Sequence, residues 1–279
     1  MAKGLPILKR RITSIKATKK VTKAMEMIAT TKLKTWKQAM LESRLYADEL
    51  VHIVKKNLHH DELLNSIFFK RDVTLPKLYI LVTSNLGLCG PYNYNVLQTW
   101  TSLVKPDDLT FVIGEKGKRF FSRLTYRHQA DFVQAGSLSE ATLTPLVHAV
   151  LQAFQKREVG EVIIIYTKFI NSLVAQPQSF SLLPLSLSTF QGGTVNQPPL
   201  IEPDPQSVFE RLVPFYIKNT LYATLIESQV SEQSARRNAM EKASDNADEL
   251  VEQLQLVFNK QRQANITQEI AEIIGGSST

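Results

Sequence analysis

Apolar residues recur at alternating three- and four-residue intervals near both ends of the chain, and in short unbroken runs between them. Near the C-terminus, Met240, Ala243, Ala247, Leu250, Leu254 and Val257 follow such a spacing. Near the N-terminus, Ile15, Thr22, Met25, Ala29, Trp36, Ala39, Tyr46, Leu50 and Ile53 fall in one heptad register. This is the a/d seam of a coiled coil. Arg11, Lys32 and Ser43 interrupt the first seam, and Gln229, Gln233 and Arg236 interrupt the second. Helix breakers are absent from 7–75 and from 215–274. An uninterrupted helix of about 60 residues would run about 90 Å, far beyond ordinary globular helices. Helices of this kind draw their stability from packing an amphipathic face, so the pattern predicts that the two ends pair.

The second helix has clear ends. Asp204 can cap its start, with Pro205 at the first helical position. Pro214 predicts a bend or a restart, Gly275-Gly276 a stop, and Ser277-Ser278-Thr279 a frayed end. Between the helices, 77–83, 109–113 and 162–166 read as strands, with 179–187 as an edge strand. Helical stretches at 94–103, 116–124 and 140–156 separate them, which predicts an α/β domain with a partly parallel sheet. Gln191 to Pro205 reads as a loop. The fold class is therefore an α/β domain plus a long antiparallel two-helix coiled coil formed by the N- and C-terminal helices. Residues 1–75 form the first helix, 76–203 the central domain and 204–279 the second helix.

Charge changes this picture at one end. Residues 1–37 hold eleven Lys or Arg and a single acid, Glu26, whereas the remainder of the 279-residue chain is close to neutral. Such an end suits an acidic partner. No apolar run approaches the roughly 18 residues that span a bilayer, and the N-terminus lacks the pattern of a secretory signal. The single cysteine, Cys89, excludes an internal disulfide and fits a reducing compartment; it reads as a small buried side chain. His59-His60 reads as a solvated helix face rather than a metal site.

Catalytic signatures do not assemble. Gly87-Leu-Cys-Gly90 and Gly114-Glu-Lys-Gly117 follow strands, where a phosphate-binding loop could sit, but neither the GxxxxGK[ST] nor the GxGxxG spacing is present. They read as turn glycines. Two rival readings stay open: a basic coiled-coil protein that binds nucleic acid, and an α/β enzyme using Cys89 or the GEKG loop.

The residues that decide between these readings are RRITSIKATKKVTKAMEMIATTKLK at 10–34 and SEQSARRNAMEKASDNADELVEQLQLVFNKQRQANITQEIAEIIGG at 231–276, with RQANITQEI at 262–270 the most specific. The chain resembles the gamma subunit family of F-type ATP synthases. GLCG with Asn93, the GEKG turn and Glu202-Pro203 match that family's central, Rossmann-like domain; Ser84-Asn85-Leu86 and Pro91 depart from it. The resemblance implies a non-catalytic subunit without cofactor or metal that turns within three alpha and three beta subunits. Its other partners would be the epsilon subunit and the membrane c ring, with neither a nucleic acid nor a transmembrane segment of its own. It implies a peripheral place on the cytoplasmic face of a bacterial cell membrane. Lys9, Arg10, Lys19, Lys20, Lys23 and Met25 match positions that face the beta subunits. Arg262, Gln263, Thr267 and Glu269 match positions near the catch of the ring, and Glu202 matches the foot that meets epsilon and the c ring. A rotor-like paralogue of a non-synthase F-type complex is compatible with the same motifs, and ion choice, proton or sodium, is not encoded here.

Overall fold

The computed structural model describes residues 4–57, 66–130, 140–186, 202 and 204–276. The chain divides into two compact units, Met1–Thr30 with Arg236–Thr279, and Thr31–Ala235.

Two long helices contribute to both units. Helix α1 spans Gly4–Asn57. It tolerates Pro6 because first-turn N–H groups have no intrahelical acceptor to lose. Within the breaker-free stretch 7–75, α1 is described as far as Asn57, and the described residues 66–75 contain no α-helix. Beyond it, Ile67–Phe69 form a 3-10 turn capped by Ser66, and Phe68 is buried in the core of the α/β domain. The absence of Gly and Pro permits a helix without requiring one, and the adjacent rings of Phe68 and Phe69 pack on the α/β core, with Ile67 exposed.

Helix α5 spans Pro205–Gly276. Asp204 accepts the Ser207 N–H at 2.8 Å and the Ser207 hydroxyl at 2.7 Å. Those bonds hold its carboxyl below the usual aspartate range, since they favour the charged form. The helix is continuous through Pro214, so it does not restart there. Glu210, whose carbonyl loses its donor there, is exposed and can turn to water. The final Ser277-Ser278-Thr279, the loop expected from Gln191 to Pro205 apart from Glu202, Asp204 and Pro205, and the His59-His60 pair lie outside the described residues.

In the first unit, α1 and α5 run antiparallel. Thr22 pairs with Ser244 and Lys19 with Asp248, so the partner number falls as the α1 number rises. The positions shielded from solvent on α1 include Leu5, Leu8, Ile12, Ile15, Lys19, Thr22, Glu26 and Ala29, with Met25 half-buried beside them. On α5 they include Met240, Ser244, Ala247, Val251, Leu254, Phe258, Gln261 and Asn265. Both sets keep a strict three–four alternation. The expected register is corrected by one residue at every second seam position. Ser244, Val251 and Phe258 line the seam more deeply than Ala243, Leu250 and Val257, and Leu250 and Val257 are 47% and 51% exposed. In the second unit the same shift sets Leu33 and Met40 in the core, against Ile226 and Val230, and leaves Tyr46 and Ile53 exposed. At one of the shifted positions, the hydroxyls of Thr22 and Ser244 bond to each other at 2.8 Å inside the seam. A serine there looks like a gap from sequence.

The second unit holds a five-stranded sheet in the order β3-β2-β1-β4-β5. Its strands are β1 (Lys77–Val82), β2 (Leu109–Ile113), β3 (His128–Gln129), β4 (Glu161–Phe169) and β5 (Ala175–Leu183). Strand β1 pairs in parallel with β2 and β4, β2 in parallel with β3, and β4 antiparallel with β5. Helix α2 (Tyr92–Leu103) links β1 to β2, α3 (Glu115–Phe121) links β2 to β3, and α4 (Glu140–Gln155) precedes β4. Alternation along β1 sorts the core into two layers. Leu78, Ile80 and Val82 meet α4 and the start of α5, including Phe209, Val213, Ile217 and Leu221. Tyr79 and Leu81 meet Val96 and Trp100 of α2 and Phe121 of α3. The edge strand lies four residues earlier than 179–187, because β4 continues to Phe169 and turns back within the Ile170–Val174 segment.

Candidate partner-binding surfaces

The sequence places its positive charge on α1, and the geometry distinguishes cations that are engaged from those that face outward. Lys19 gives its ammonium to Asp248 at 2.6 Å, a pair at the rim of the seam. Lys23 holds Glu26, the only acid of residues 1–37, at 3.0 Å. That hydrogen bond, with the charge of Glu26 and the more distant Glu241 and Asp245 of α5, raises the Lys23 pKa. Lys9, Arg10 and Lys20 are exposed. Met25 is half-buried beside the seam, next to Glu26. Of the α1 cations expected to meet a ring, then, two are partly neutralised within the first unit and three project into solvent.

At the far end of α5, Arg262, Gln263, Thr267 and Glu269 are all exposed. The Thr267 hydroxyl returns to the Gln263 carbonyl at 3.0 Å, which ties it to its own helix. Ile266, Ile270, Ile273 and Ile274 are exposed as well. Single exposed apolar residues are ordinary, but a run of four on one helix end marks a contact surface. Glu202 is exposed.

Polar residues that interrupt the α5 seam prove to be an anchor within the second unit. Ser228, Gln229, Ser231, Glu232, Gln233 and Ser234 are buried. The Tyr92 hydroxyl meets Ser228 Oγ at 2.7 Å, Ser231 donates to the Thr167 carbonyl at 3.0 Å and Ser234 to the Ser172 carbonyl at 2.7 Å. Burial, with the neighbouring charge of Glu232, pushes the Tyr92 pKa up. Lys37 of α1 reaches the same hairpin, 3.3 Å from Ser172 Oγ and 5.0 Å from the centre of the Phe169 ring. Composition alone could have hinted at this: SQVSEQS is too polar for an isolated seam and too regular for a loop.

The glycine loops are explained by packing. Gly114 has φ +98, and a Cβ on it would collide with the Thr83 carbonyl oxygen. Thr83 Oγ1 accepts the Gly117 N–H at 2.9 Å and donates to the Ile113 carbonyl at 2.7 Å. In the GLCG turn, Gly90 has φ 57, Cys89 is buried, and Asn93 bridges Ser84 and Cys89. The unusual Asn85 accepts the Glu115 N–H at 3.1 Å and so caps α3. Among the described residues, no helix is long and apolar enough to cross a membrane.

The family described as ATP synthase matches residues 4–279. The ATP synthase gamma chain of Clostridium kluyveri is 36% identical, over 98% of this chain and 97% of that one. The gamma chain of Heliobacterium modesticaldum is 34% identical, over 99% and 98%. This chain belongs to the ATP synthase gamma family. Solved structures share its gamma fold. A chain of the Euglena gracilis mitochondrial ATP synthase OSCP/F1/c-ring assembly aligns with all of this chain and 95% of its own length, at TM-score 0.70 and 19% identity. One from the Tetrahymena thermophila mitochondrial ATP synthase central stalk and c ring covers 80% of this gamma chain and 99% of itself, at TM-score 0.60 and 25% identity.

Proposed function

We propose that this gamma chain is the central rotor shaft of a membrane-bound F-type ATP synthase and couples ion flow to chemistry at catalytic sites it does not itself contain. The carrying observation is the family match from residue 4 to 279, joined to an antiparallel helix pair that is basic along the start of α1 and exposes isoleucines where α5 runs on past that start. Lys9, Arg10 and Lys20 would meet acidic loops of the beta subunits, with Met25 beside them. Ile266, Ile270, Ile273 and Ile274 would turn against an apolar collar, near Arg262, Gln263, Thr267 and Glu269. Glu202 would meet the epsilon subunit and the c ring, at the cytoplasmic face of the membrane.

The physics suits rotation. Attraction between charges on a shaft and on a surrounding loop falls off gradually and is screened over about 8 Å at physiological salt, so it can be strong without fixing one geometry. A shaft with unlike faces offers each surrounding catalytic subunit a different contact energy, and differential contact is what shifts a site between affinities. Torque then passes through a seam of packed side chains, while ATP is handled elsewhere.

Purification of the tagged chain from its native cell, with mass identification of companions, tests this. Recovery with alpha, beta, epsilon and c subunits and with ATP hydrolysis is expected. Recovery alone, or with nucleic acid instead of these subunits, would overturn it.

A further inference from the structure

The second unit contains a cavity of about 300 Å³ between α1, α4 and α5 that the rotor reading does not use. Its size lies at the lower end of small-molecule sites. Among the described residues, Ser43 Oγ on its wall has no hydrogen-bond partner, although Ser43 is only 6% exposed. A buried hydroxyl left unsatisfied is costly and uncommon. Asn219, 7% exposed, brings a carboxamide to the same wall from α5. Both groups can donate and accept at once. Glu42 and Lys218 add one charge of each sign, so the lining has no net charge. The remaining surface is supplied by the rings of Tyr46, Phe215 and Tyr222 and by Leu143. Rings of this kind offer flat apolar faces for stacking.

We infer that this cavity binds a small neutral ligand with a flat apolar body and an amide head, the head hydrogen-bonded to Ser43 and Asn219. An amide supplies a donor and an acceptor side by side, matching the two wall groups. A carboxylate cannot donate and an ammonium cannot accept, so either would lose one of the two hydrogen-bonding roles. The aromatic rings define the body as planar rather than branched. Tyr46 and Phe215 are largely exposed at this wall, which gives the ligand a way in.

The test titrates the full chain with benzamide, benzoate and benzylamine, which share one ring and differ in the head, by ligand-observed saturation-transfer NMR. A single-ring amide of this size should bind with a dissociation constant on the order of 1 mM. Benzamide should bind at least about threefold tighter than either charged probe. Asn219→Leu and Ser43→Ala should each weaken it by about fivefold or more. Ser43→Ala removes a hydroxyl that has no partner, so that variant should melt at or above the parent temperature and remain informative if Asn219→Leu fails to fold. Absence of benzamide binding would overturn the inference. So would equal binding of the three probes, or undiminished binding in every variant that melts cooperatively.

Discussion

Thr22 and Ser244 are two hydroxyls facing each other inside the seam, 2.8 Å apart. Removing one takes the cross-helix bond from the other, which keeps only its own-helix carbonyl (Lys19 for Thr22, Met240 for Ser244, each at 2.9 Å), whereas removing both restores an apolar contact. Thr22→Val and Ser244→Ala should therefore each cost about 1 kcal/mol, and the double variant clearly less than their sum. A thermal or urea double-mutant cycle reads the coupling; strict additivity would show that the pair is incidental. Tyr79 makes a second residue-scale prediction. It is buried under α2 and donates to the Leu103 carbonyl at 3.0 Å. Burial, helped by Asp108 and Glu161, pushes its phenol from 10.0 up to about 12. A raised pKa means that the folded state favours the protonated form. That stability is complete below pH 10 and is lost as pH climbs through about 12. Tyr92 shifts the same way. Alkaline melting should therefore fall steeply across this window, and Tyr79→Phe should flatten the fall. An unchanged slope in that variant would count against the burial of the phenol.

At the scale of elements, the two long helices, the three parallel inner strands and the helices between them were legible because each has its own period. Asp204 and Pro205 were legible as a helix start for the same local reason. The seam register was not, since Leu250 beside Val251, and Val257 beside Phe258, make the stripe wider than two positions, and only the partner helix chooses between them. Strand β3, two residues long, carries no periodic signal at all; it exists because Thr110 and Phe111 pair with His128 and Gln129. The buried role of SQVSEQS depends on Tyr92, Thr167 and Ser172, which are remote in sequence. For the outward-facing site residues, the helix phase tells which can reach a partner, and the ion pairs of Lys19 and Lys23 were hidden because their acids lie on α5 or one turn away. The GEKG turn gives a direct test at this scale. Gly114 combines a positive φ with the Thr83 carbonyl behind it, so Gly114→Ala should destabilise the chain by roughly 2–4 kcal/mol. A melting temperature equal to the parent's would contradict the strained geometry.

For the whole molecule, the two units divide the labour that the proposed function needs. The first is a closed two-helix seam with charge and exposed isoleucines outside; the second is a sheet domain that grips the middle of α5 through buried serines and a tyrosine. The hydrogen bonds of Ser228, Ser231 and Ser234 to Tyr92, Thr167 and Ser172 are directional, so the grip has a defined register rather than a sliding one. A seam that slid would dissipate torque; a seam locked by hydroxyl and ion pairs would transmit it. The rotor claim is tested most directly by watching it turn. Thr101 is exposed on α2, and the native Cys89 is buried, so Thr101→Cys gives a selective point for attaching a bead to this chain in a complex reconstituted with its own alpha and beta subunits. With ATP supplied, the account predicts that the bead rotates in one direction, pausing at three angles per turn. A complex that hydrolyses ATP at the same rate while the bead stays still would contradict it.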